Sequence, residues 1–352
     1  MKWYKTTQDL SPVISCRVRL ARNFKNYKFS HRLDSNHAQQ MIEQLNNSLC
    51  EQHDIAFKYT DINNHREIDK ISLVEHHKIS LDLLYGDKPR GLLSSADDTI
   101  HIMLNEEDHV RIQCISDGKN IQSVYDKAAY VDDLIESVME YAFDEQLGYL
   151  TSCPSNIGTG LRASYMVHLP MLERAGKIDS IISSITRAGL TMRGMYGETS
   201  DFMGSIYQIS NQSSLGRSEQ DILYLLENFT NKIVEAELEA LTKYIAKNPI
   251  HFEDHVYRAY GILKNARQID VIEARKLLSS VRVGAVSGVL KPELTGISVY
   301  GIMMNIEYGN LCLNMGYMAD NEVNRTRATF IRKALGEVTP TPIDATPPEP
   351  IA

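Results

Sequence analysis

The chain has 352 residues, and 37 lysines and arginines against 45 aspartates and glutamates give a net charge of −8. This length predicts two domains, and the acidic balance argues against a nucleic-acid-binding protein, which needs a basic surface. No signal peptide and no apolar run of about 18 residues is present, so we expect a cytoplasmic protein that does not enter a membrane. The odd number and wide spacing of the cysteines predict neither a disulfide framework nor a zinc site: Cys16, Cys50, Cys114, Cys153 and Cys312.

The first part of the chain predicts a mixture of strands and helices. Residues 13–20 alternate apolar with polar or basic side chains, which predicts a strand with Arg17 and Arg19 on one face. Residues 36–52 are predicted to form a helix. Apolar side chains recur every three or four positions over residues 121–142, which indicates an amphipathic helix.

An acidic turn joins two further predicted strands. Residues 99–104 and 110–115 both alternate, so they predict a hairpin. We expect the tip of this hairpin to display Glu106, Glu107 and Asp108 at the end of the sheet.

The middle of the chain contains a segment rich in glycine. Residues 148–164 hold three glycines and a proline and are predicted to form a loop, followed by a short strand over 165–169. A helix is predicted to begin at Pro170 and to end near residue 184. Residues 189–195 and 204–210 predict two more strands.

The rest of the chain is predicted to be helical. Ser218 and Asp221 have the spacing of a capping box, which opens a long helix that ends before Pro249. The last residues are rich in proline and lack a core-forming pattern, so we expect disorder there. The predicted domains are a catalytic domain over 1–245, a helical domain over 246–336 and a tail over 337–352.

Several familiar nucleotide-binding and metal-binding motifs are absent or occur in the wrong context. Residues 158–163 match the relaxed dinucleotide fingerprint G-x-G-x-x-A, but Pro154 precedes the match and a strand follows it, which is the wrong context. The chain has no P-loop and no kinase H-R-D motif. His76 and His77 are adjacent, so on a helix they would point apart. We therefore expect no metal ligands from the protein itself.

Arginine occurs where it is unusual, on predicted strands and in glycine-rich loops. Taken singly, each such arginine is best explained as a solvated or paired surface charge. Together they favour a phosphate cradle, because a guanidinium presents five donors in a fork that matches phosphate oxygens. Such a cradle holds a polyphosphate and its Mg²⁺ without a P-loop. The residues are Arg17, Arg19, Arg111, Arg162 and Arg193.

Two carboxylates and one thiol are also placed for chemistry. Glu107 lies on the hairpin tip and Glu198 lies in a loop that follows an arginine. The alternative is that each glutamate pairs with a neighbouring arginine. Cys153 lies in the glycine-rich loop, where a cationic neighbour lowers a thiol pKa; the alternative is an inert core cysteine.

The order of these segments resembles that of the phosphagen (ATP:guanidino) kinase family. The chain is most similar to the bacterial protein arginine kinases of the McsB type, because only about 14 residues precede the first segment and a helical region follows the last. The resemblance implies an α+β catalytic domain with an antiparallel sheet flanked by helices, followed by an α-helical C-terminal domain. The similar segments are SCRVRLARN (15–23), NEEDHVRIQ (105–113), CPSNIGTGLRASYMVHLP (153–170), RGMYGE (193–198) and YQISNQSSLG (207–216).

The resemblance also assigns residues to ATP and to the substrate. Glu107 and Glu198 are expected to hold the substrate guanidinium as catalytic residues, with Cys153 beside it. Gln208 stands where metabolite kinases often have aspartate, which suits the protein kinase branch. The residues expected to contact ATP are Ser15, Cys16, Arg17, Val18, Arg19, His77, Arg111, Arg162, Ala163, Ser164, Tyr165, Met166, Arg193, Gly194, Met195, Tyr196, Gly197 and Glu198.

This assignment fits the chemistry of arginine. A guanidinium pKa of about 12.5–13.8 leaves roughly one arginine in 10⁶ or fewer neutral at pH 7, and the protonated nitrogen is a poor nucleophile. Two carboxylates orient the guanidinium and one accepts its proton, while arginines and Mg²⁺ neutralise the transferred phosphoryl. The resemblance thus implies transfer of the ATP γ-phosphoryl to arginines exposed on proteins.

The resemblance further implies a role in stress-response protein quality control. Phosphoarginine would mark proteins for a Clp-type protease and inactivate a heat-shock repressor, a zinc-binding protein would act as activator, and the C-terminal helices would form a homodimer. The family's allosteric phosphoarginine motif, R-D-x-x-R-A, corresponds to residues 323–328, where Arg327 and Ala328 match and Val323 and Asn324 replace the leading Arg-Asp. We expect this site to bind phosphoarginine weakly or not at all.

Two other functions stay open on the sequence alone. The first is a kinase for free arginine or another small guanidino compound; the absence of an N-terminal substrate-closing domain argues against it. The second is a catalytically silent adaptor or inhibitor. The presence of both glutamates and all five arginines argues against that.

Overall fold

The computed structural model describes residues 3–5, 11–51, 54–194 and 204–336. Within these ranges the centre of the molecule is an eight-stranded sheet in which every neighbouring pair is antiparallel, in the order β2-β3-β4-β5-β1-β8-β10-β9. A short two-stranded ribbon, β6–β7, lies outside it. The strands are β1 Val13–Arg22, β2 Phe57–Asp61, β3 Gly91–Ser95, β4 Ile100–Leu104, β5 Val110–Asp117, β6 Phe143–Asp144, β7 Gly148–Tyr149, β8 Leu161–His168, β9 Leu190–Gly194 and β10 Ile206–Asn211.

Helices flank the sheet, and after residue 249 the regular elements of the described region are all helices. The predicted capping box is confirmed, because the Ser218 hydroxyl accepts the Asp221 N–H at 3.1 Å and opens the longest helix. The helices are α1 Ser35–Glu51, α2 Glu67–Glu75, α3 Ile121–Val138, α4 Pro170–Arg174, α5 Ile178–Arg187, α6 Glu219–Lys247, α7 Pro249–Asn265, α8 Val271–Val286, α9 Val299–Asn305, α10 Tyr308–Met315 and α11 Asp320–Ala334.

The predicted fold class is confirmed, but two element boundaries differ and some elements were not predicted. Strand β8 begins at Leu161, inside the predicted loop, because Gly160 (φ +66°) ends the loop where its backbone passes close to Ala21. The helix predicted from Pro170 to residue 184 is two helices, separated at Gly176 (φ +64°). Strands β2 and β3 and helix α2 were not predicted.

The two faces of the sheet have different environments. One face is apolar and packs against α1, α3 and α6, and the alternate residues Cys16, Val18 and Leu20 of β1 all lie in this core. The residues between them, Arg17 and Arg19, therefore point to the other face, as the alternation predicted.

A second hydrophobic cluster lies among α7, α8, α9 and α11. It includes Trp3 and Tyr4 from the start of the chain, and Ile14 and Met166 from the sheet. Helix α6 reaches both clusters, since Ile233 belongs to the first and Leu241 to the second. The helical region is thus packed directly on one end of the sheet. No helix in the described ranges is long and apolar enough to cross a membrane.

Candidate active site

The strand register brings the predicted arginines to one face of the sheet. Arg19 lies directly opposite Arg162 on β8, and Ala21, two residues along β1, lies opposite Arg111 on β5. Residues opposite each other in antiparallel strands have Cβ atoms about 4.5–5.5 Å apart and share a face. Arg17 lies on the same face of β1 as Arg19.

The fifth arginine joins this group through β10. Met166 on β8 lies opposite Gln208, and Gln208 lies opposite Arg193 on β9. These arginines therefore project to one side from four strands, β5, β1, β8 and β9, and we call this side the arginine face: Arg17, Arg19, Arg111, Arg162 and Arg193. The predicted clustering of these arginines is present in the structure.

The arginine face carries excess positive charge. The Nε atoms of Arg19 and Arg162 are buried and have no hydrogen-bond partner in the structure. Burial, together with Arg162 and Arg111, lowers the pKa of Arg17 to about 10. Burial and neighbouring arginines likewise lower the pKa values of Arg19 and Arg162. Cations in this state are stabilised by an anion that supplies both charge and acceptors.

A neutral amide orients Arg17. Its Nη2 donates to Oε1 of Gln208 at 2.7 Å. An aspartate at this position would neutralise the guanidinium, whereas the glutamine fixes its direction and leaves its charge available to a ligand.

His77 lies at the same end of the arginine face. Its backbone is left-handed (φ +58°), and its carbonyl oxygen accepts the Gln113 side-chain N–H at 2.6 Å. Burial and the proximity of Arg17 lower its pKa to about 3, so the imidazole is neutral at physiological pH. The structure thus places His77, one of the predicted nucleotide contacts, beside Arg17.

Several residues predicted to contact ATP do not present side chains to the arginine face. Cys16, Val18, Ala163 and Tyr165 alternate with the arginines and belong to the apolar core. Burial raises the pKa of the Cys16 thiol to about 12. Any contact these residues make with a ligand is therefore through the backbone. Ser15, Ser164 and Met166 do share the arginine face, and Gly194 alternates away from it.

The hairpin tip differs from the prediction in two of its three acidic residues. Glu106 and Asp108 are buried, and only Glu107 is exposed. Glu106 accepts hydrogen bonds from Arg111 Nη1 at 2.6 Å, from the Glu107 N–H at 2.8 Å and from the Ser80 hydroxyl. The prediction that Glu106 is displayed was wrong, because its carboxylate is used to hold Arg111.

Glu107 lies at the edge of the arginine face. Its Oε2 accepts from Arg111 Nη2 at 3.1 Å, so the predicted pairing with a neighbouring arginine is observed. Partial burial raises the pKa of Glu107, and Arg111 opposes that shift. One carboxylate oxygen thus engages Arg111, and because the side chain is 40% exposed, a second guanidinium can approach it.

Asp108 ties the hairpin tip to the glycine-rich loop. Its Oδ1 accepts from the Asn23 amide and from the Ser152 backbone N–H, both at 2.7 Å. The prediction that Asp108 is displayed was wrong, because it is fully buried as this link. The bond to Ser152 also positions Cys153, the residue after it. The Cys153 thiol lies 3.1 Å from the Ser155 hydroxyl and is close enough to Arg162 to raise the pKa of that arginine.

The predicted catalytic residues are thus partly brought together. Glu107 and Cys153 lie beside the arginine face. Glu198 and the ATP-binding residues predicted at 195–197 lie outside the described residues.

The altered allosteric motif lies in α11, remote in sequence from the arginine face. Arg327 is 4% exposed and donates to the carbonyls of Ile306 and Ile269 and to the Asn324 side chain, at 3.0, 3.1 and 2.6 Å. Burial lowers its pKa. Its guanidinium is therefore committed to neighbouring oxygens, unlike those of Arg19 and Arg162.

The residues present fit a polyphosphate. The orphaned guanidinium nitrogens of Arg19 and Arg162 are donors that phosphate oxygens satisfy. Within the ranges described, no group of three or more histidine, cysteine, aspartate or glutamate side chains could hold a metal ion.

Comparison with known proteins identifies the family of the chain. Residues 38–240 match the family model described as the ATP:guanido phosphotransferase C-terminal catalytic domain, and residues 249–346 match the protein-arginine kinase McsB C-terminal domain. The protein-arginine kinase of Bacillus subtilis is 42% identical over 328 residues, which covers 92% of this chain and 90% of that protein. The protein-arginine kinase of Clostridium kluyveri is 40% identical over 326 residues, covering 92% and 94%.

Solved structures show the same catalytic fold. A lombricine kinase superposes with a TM-score of 0.59 at 27% identity, covering 68% of this chain and 70% of that one. The duplicated taurocyamine kinase of Schistosoma mansoni, solved with transition-state analogue components, superposes with a TM-score of 0.59 at 27% identity. The match covers 66% of this chain and 34% of that one. The protein is thus a kinase of the ATP:guanidino phosphotransferase class. Within that class, the chain belongs to the protein-arginine kinase family.

Sequence reasoning missed three groups that shape the site. The sequence did contain a sign of the role of Glu106, since an acidic residue close to an arginine in a hairpin favours an ion pair between them. Gln113 carried a weaker one, as a polar residue on the arginine side of β5. Tyr300 carried none: it lies 223 residues from His77, yet its hydroxyl is 3.4 Å from the His77 Nε2.

Proposed function

We propose that this kinase transfers the γ-phosphoryl group of Mg·ATP to arginine side chains of proteins. The observation that supports this best is the arginine face itself, on which two guanidinium groups have buried nitrogens without acceptors, beside an exposed glutamate. Phosphoryl transfer needs positioning and charge neutralisation more than covalent chemistry, and these residues supply both.

In this proposal the arginine face binds the nucleotide phosphates. Arg17 and Arg19 on β1 lie at its centre, with Arg111 and Arg162 on the strands to either side. Their donors stabilise negative charge on the transferred group and on the departing ADP. Mg²⁺ would be carried by the nucleotide and would add charge neutralisation. Arg193, on the outer strand β9, completes the set.

Glu107 is the proposed binding group for the substrate guanidinium. It is placed by Arg111 and by the Glu106 carboxylate, so its orientation is fixed before substrate arrives. A carboxylate that contacts the target guanidinium orients the attacking nitrogen and is able to take its proton as the N–P bond forms. We propose the same role for Glu198 and a neighbouring position for Cys153.

The substrate is proposed to be an arginine within a protein rather than free arginine. Two observations support this choice: the relatives named above are protein-arginine kinases, and residues 249–346 match the C-terminal domain of that branch. A kinase for free arginine is the alternative, because the solved structures with the same fold are named for small guanidino compounds.

The wider biology is proposed from the family alone. In this proposal the enzyme is a cytoplasmic homodimer. It marks proteins for a Clp-type protease and inactivates a heat-shock repressor, and a zinc-binding protein acts as its activator. The division into domains near residue 245 and weak phosphoarginine binding at Asn324 and Arg327 are proposals of the same kind.

The test is phosphoarginine detection under mild, non-acidic conditions. The protein is incubated with Mg·ATP and a mixed protein substrate, and in parallel with free arginine, and the products are analysed by mass spectrometry. We expect phosphoarginine on protein from the wild type and from the control Glu140→Gln, whose side chain is 62% exposed, and at least a hundredfold less from Glu107→Gln.

Two results would contradict the proposal. Turnover of free arginine without protein phosphorylation would establish a metabolite kinase. Phosphorylation of neither substrate, even after the proposed activator is added, would favour the adaptor function.

A further inference from the structure

The end of the arginine face next to His77 is closed by the helical C-terminal region. Tyr300, on α9, is 3% exposed, and its hydroxyl lies 3.0 Å from Met166 Sδ and 3.4 Å from His77 Nε2. Met166 lies opposite Gln208, which in turn holds Arg17. A side chain from the C-terminal region therefore touches two residues that line the proposed nucleotide site.

The Trp3 ring packs against both Tyr300 and His77. The Trp3 ring centroid is 6.0 Å from that of Tyr300 and 6.3 Å from that of His77. The segment that carries Trp3 is held to α9, because the Ser298 hydroxyl donates to the Tyr4 carbonyl oxygen at 3.0 Å. Trp3, Tyr300 and His77 thus form one contact group drawn from the start, the end and the middle of the chain.

The same C-terminal region also fixes the backbone that leads to His77. Helix α2 ends at Glu75, whose carboxylate accepts the N–H groups of Gly309 and Asn310 at the start of α10, at 3.0 and 2.7 Å. The ring of His76, the next residue, stacks on Tyr4 with centroids 5.0 Å apart. The left-handed His77 follows directly. Besides the Gln113 contact from the sheet, both its backbone and its ring are therefore positioned by residues outside the sheet.

We propose that Tyr300 is a positioning residue of the nucleotide site, through which the C-terminal helical domain holds His77 against the bound nucleotide. This inference rests on the proposed ATP site. The Tyr300 hydroxyl donates to Met166 Sδ, so its oxygen accepts from the Nε2–H of the neutral His77 ring, and Nδ1 is left as an acceptor for a hydroxyl or amino group of the nucleotide. Tyr300 makes no contact with the transferred phosphoryl, so it acts on nucleotide affinity and not on the chemical step.

The test uses the full chain and the variant Tyr300→Phe, which keeps the ring and removes the hydroxyl. We expect the KM for Mg·ATP and the Kd for Mg·ADP to rise about threefold to tenfold, as loss of one hydrogen bond predicts, with kcat and the KM for protein substrate within twofold of wild type. The matched control is Tyr260→Phe, which loses a hydrogen bond from the Glu293 N–H inside the same domain. We expect it to leave the KM for Mg·ATP unchanged.

A second measurement needs no variant. Trp3 is the sole tryptophan of the chain, and it contacts both Tyr300 and His77. We expect Mg·ADP to change its fluorescence in the wild type, with the same Kd that calorimetry gives. This arm decides the inference if Tyr300→Phe fails to fold.

The outcomes separate the two proposals. Three results would overturn the role of Tyr300 alone. They are an unchanged Kd for Mg·ADP in Tyr300→Phe, an equal loss of nucleotide affinity in Tyr260→Phe, and Mg·ADP binding seen by calorimetry without a change in Trp3 fluorescence. No nucleotide binding by the wild type would overturn the proposed ATP site, and the role of Tyr300 with it.

Discussion

Arginine has opposite roles in two regions of this molecule. On the arginine face, the Nε atoms of Arg19 and Arg162 are buried without acceptors. At the far end of β1, Arg22 is 1% exposed and has acceptors for Nε, Nη1 and Nη2, from Asp132 and from the carbonyls of Ala21 and Thr159. Its guanidinium also lies 3.5 Å from the centre of the Tyr149 ring.

The difference separates arginines that bind ligands from arginines that hold the fold. A buried cation with a complete set of acceptors is stable as it stands, and breaking it leaves an uncompensated charge. A partly buried cation without acceptors destabilises the folded protein and is stabilised by an incoming anion. Arg327 belongs with Arg22, since three oxygens accept from it. Four predictions test this division.

The largest effect is expected from the structural arginine. Arg22→Met leaves Asp132 buried without its cation, so we expect a loss of about 3–5 kcal/mol in the free energy of unfolding, measured by denaturant titration. The control is Arg66→Met, whose ion pair with Asp69 is exposed and is worth below about 1 kcal/mol. Equal losses in the two variants would show that burial of the pair does not matter.

The arginine face is expected to show the reverse pattern. Arg162→Gln should lower kcat/KM for protein phosphorylation about 10²–10³-fold, because one donor to the transferred phosphoryl is lost. Its melting temperature should equal or exceed that of the wild type, since a like-charge repulsion is removed. Arg258→Gln, at an exposed position, is the control for activity. A variant that loses stability in proportion to activity would place Arg162 among the structural arginines.

A buried acid extends the comparison to negative charge. Glu237 accepts two backbone N–H groups at the start of α4, and burial raises its pKa to about 7. Its unfolded pKa is near 4.3–4.5, so the stability it contributes is fully present below about pH 4.5 and is lost as pH rises through 7. The advantage of wild type over Glu237→Gln should therefore shrink by up to about 3 kcal/mol between pH 5 and 8.

The control for this pH series is Glu239→Gln, on the exposed side of the same helix. Its pairing with Lys243 lowers its pKa, so it titrates below the window, and its unfolding free energy should track the wild type. A constant difference between wild type and Glu237→Gln across the range would contradict the account.

The smallest effect concerns the partner of Arg17. Gln208→Asp replaces a neutral acceptor with a carboxylate that pairs with Arg17, so we expect the Kd for Mg·ATP to rise about tenfold. In Gln208→Asn, where the side chain stays neutral, the Kd for Mg·ATP should rise less. Tighter nucleotide binding in the aspartate variant would show that the charge of Arg17 is not used on phosphate.

The sequence was sufficient for the parts of the site that depend on local patterns. Alternation in β1 placed Arg17 and Arg19 on one face, and the hairpin was found from its two alternating strands. Glu106 and Asp108 were misplaced because alternation is a rule for strands and their burial arises in a turn. Arg111 and the Ser152 backbone, which use those two carboxylates, lie on other elements.

The remaining features depend on distant contacts that no local pattern encodes. The adjacency of Arg19 and Arg162 follows from strand pairing across more than 140 residues. The contact of Tyr300 with His77 follows from how the helical region packs on the sheet. Strand β2 was missed because only Phe57 of its five residues is buried, so its sequence shows no alternation to detect.

The central claim is that the arginine face is unstable by itself and is completed by a polyphosphate. Thermal melting of the wild type and of Arg19→Leu, each with and without Mg·ATP, tests it most directly. We predict that the nucleotide raises the melting temperature of the wild type, while the variant melts at or above the wild-type temperature without nucleotide and gains nothing from it. A variant that melts lower without nucleotide, or that gains as much as the wild type with it, would contradict the account.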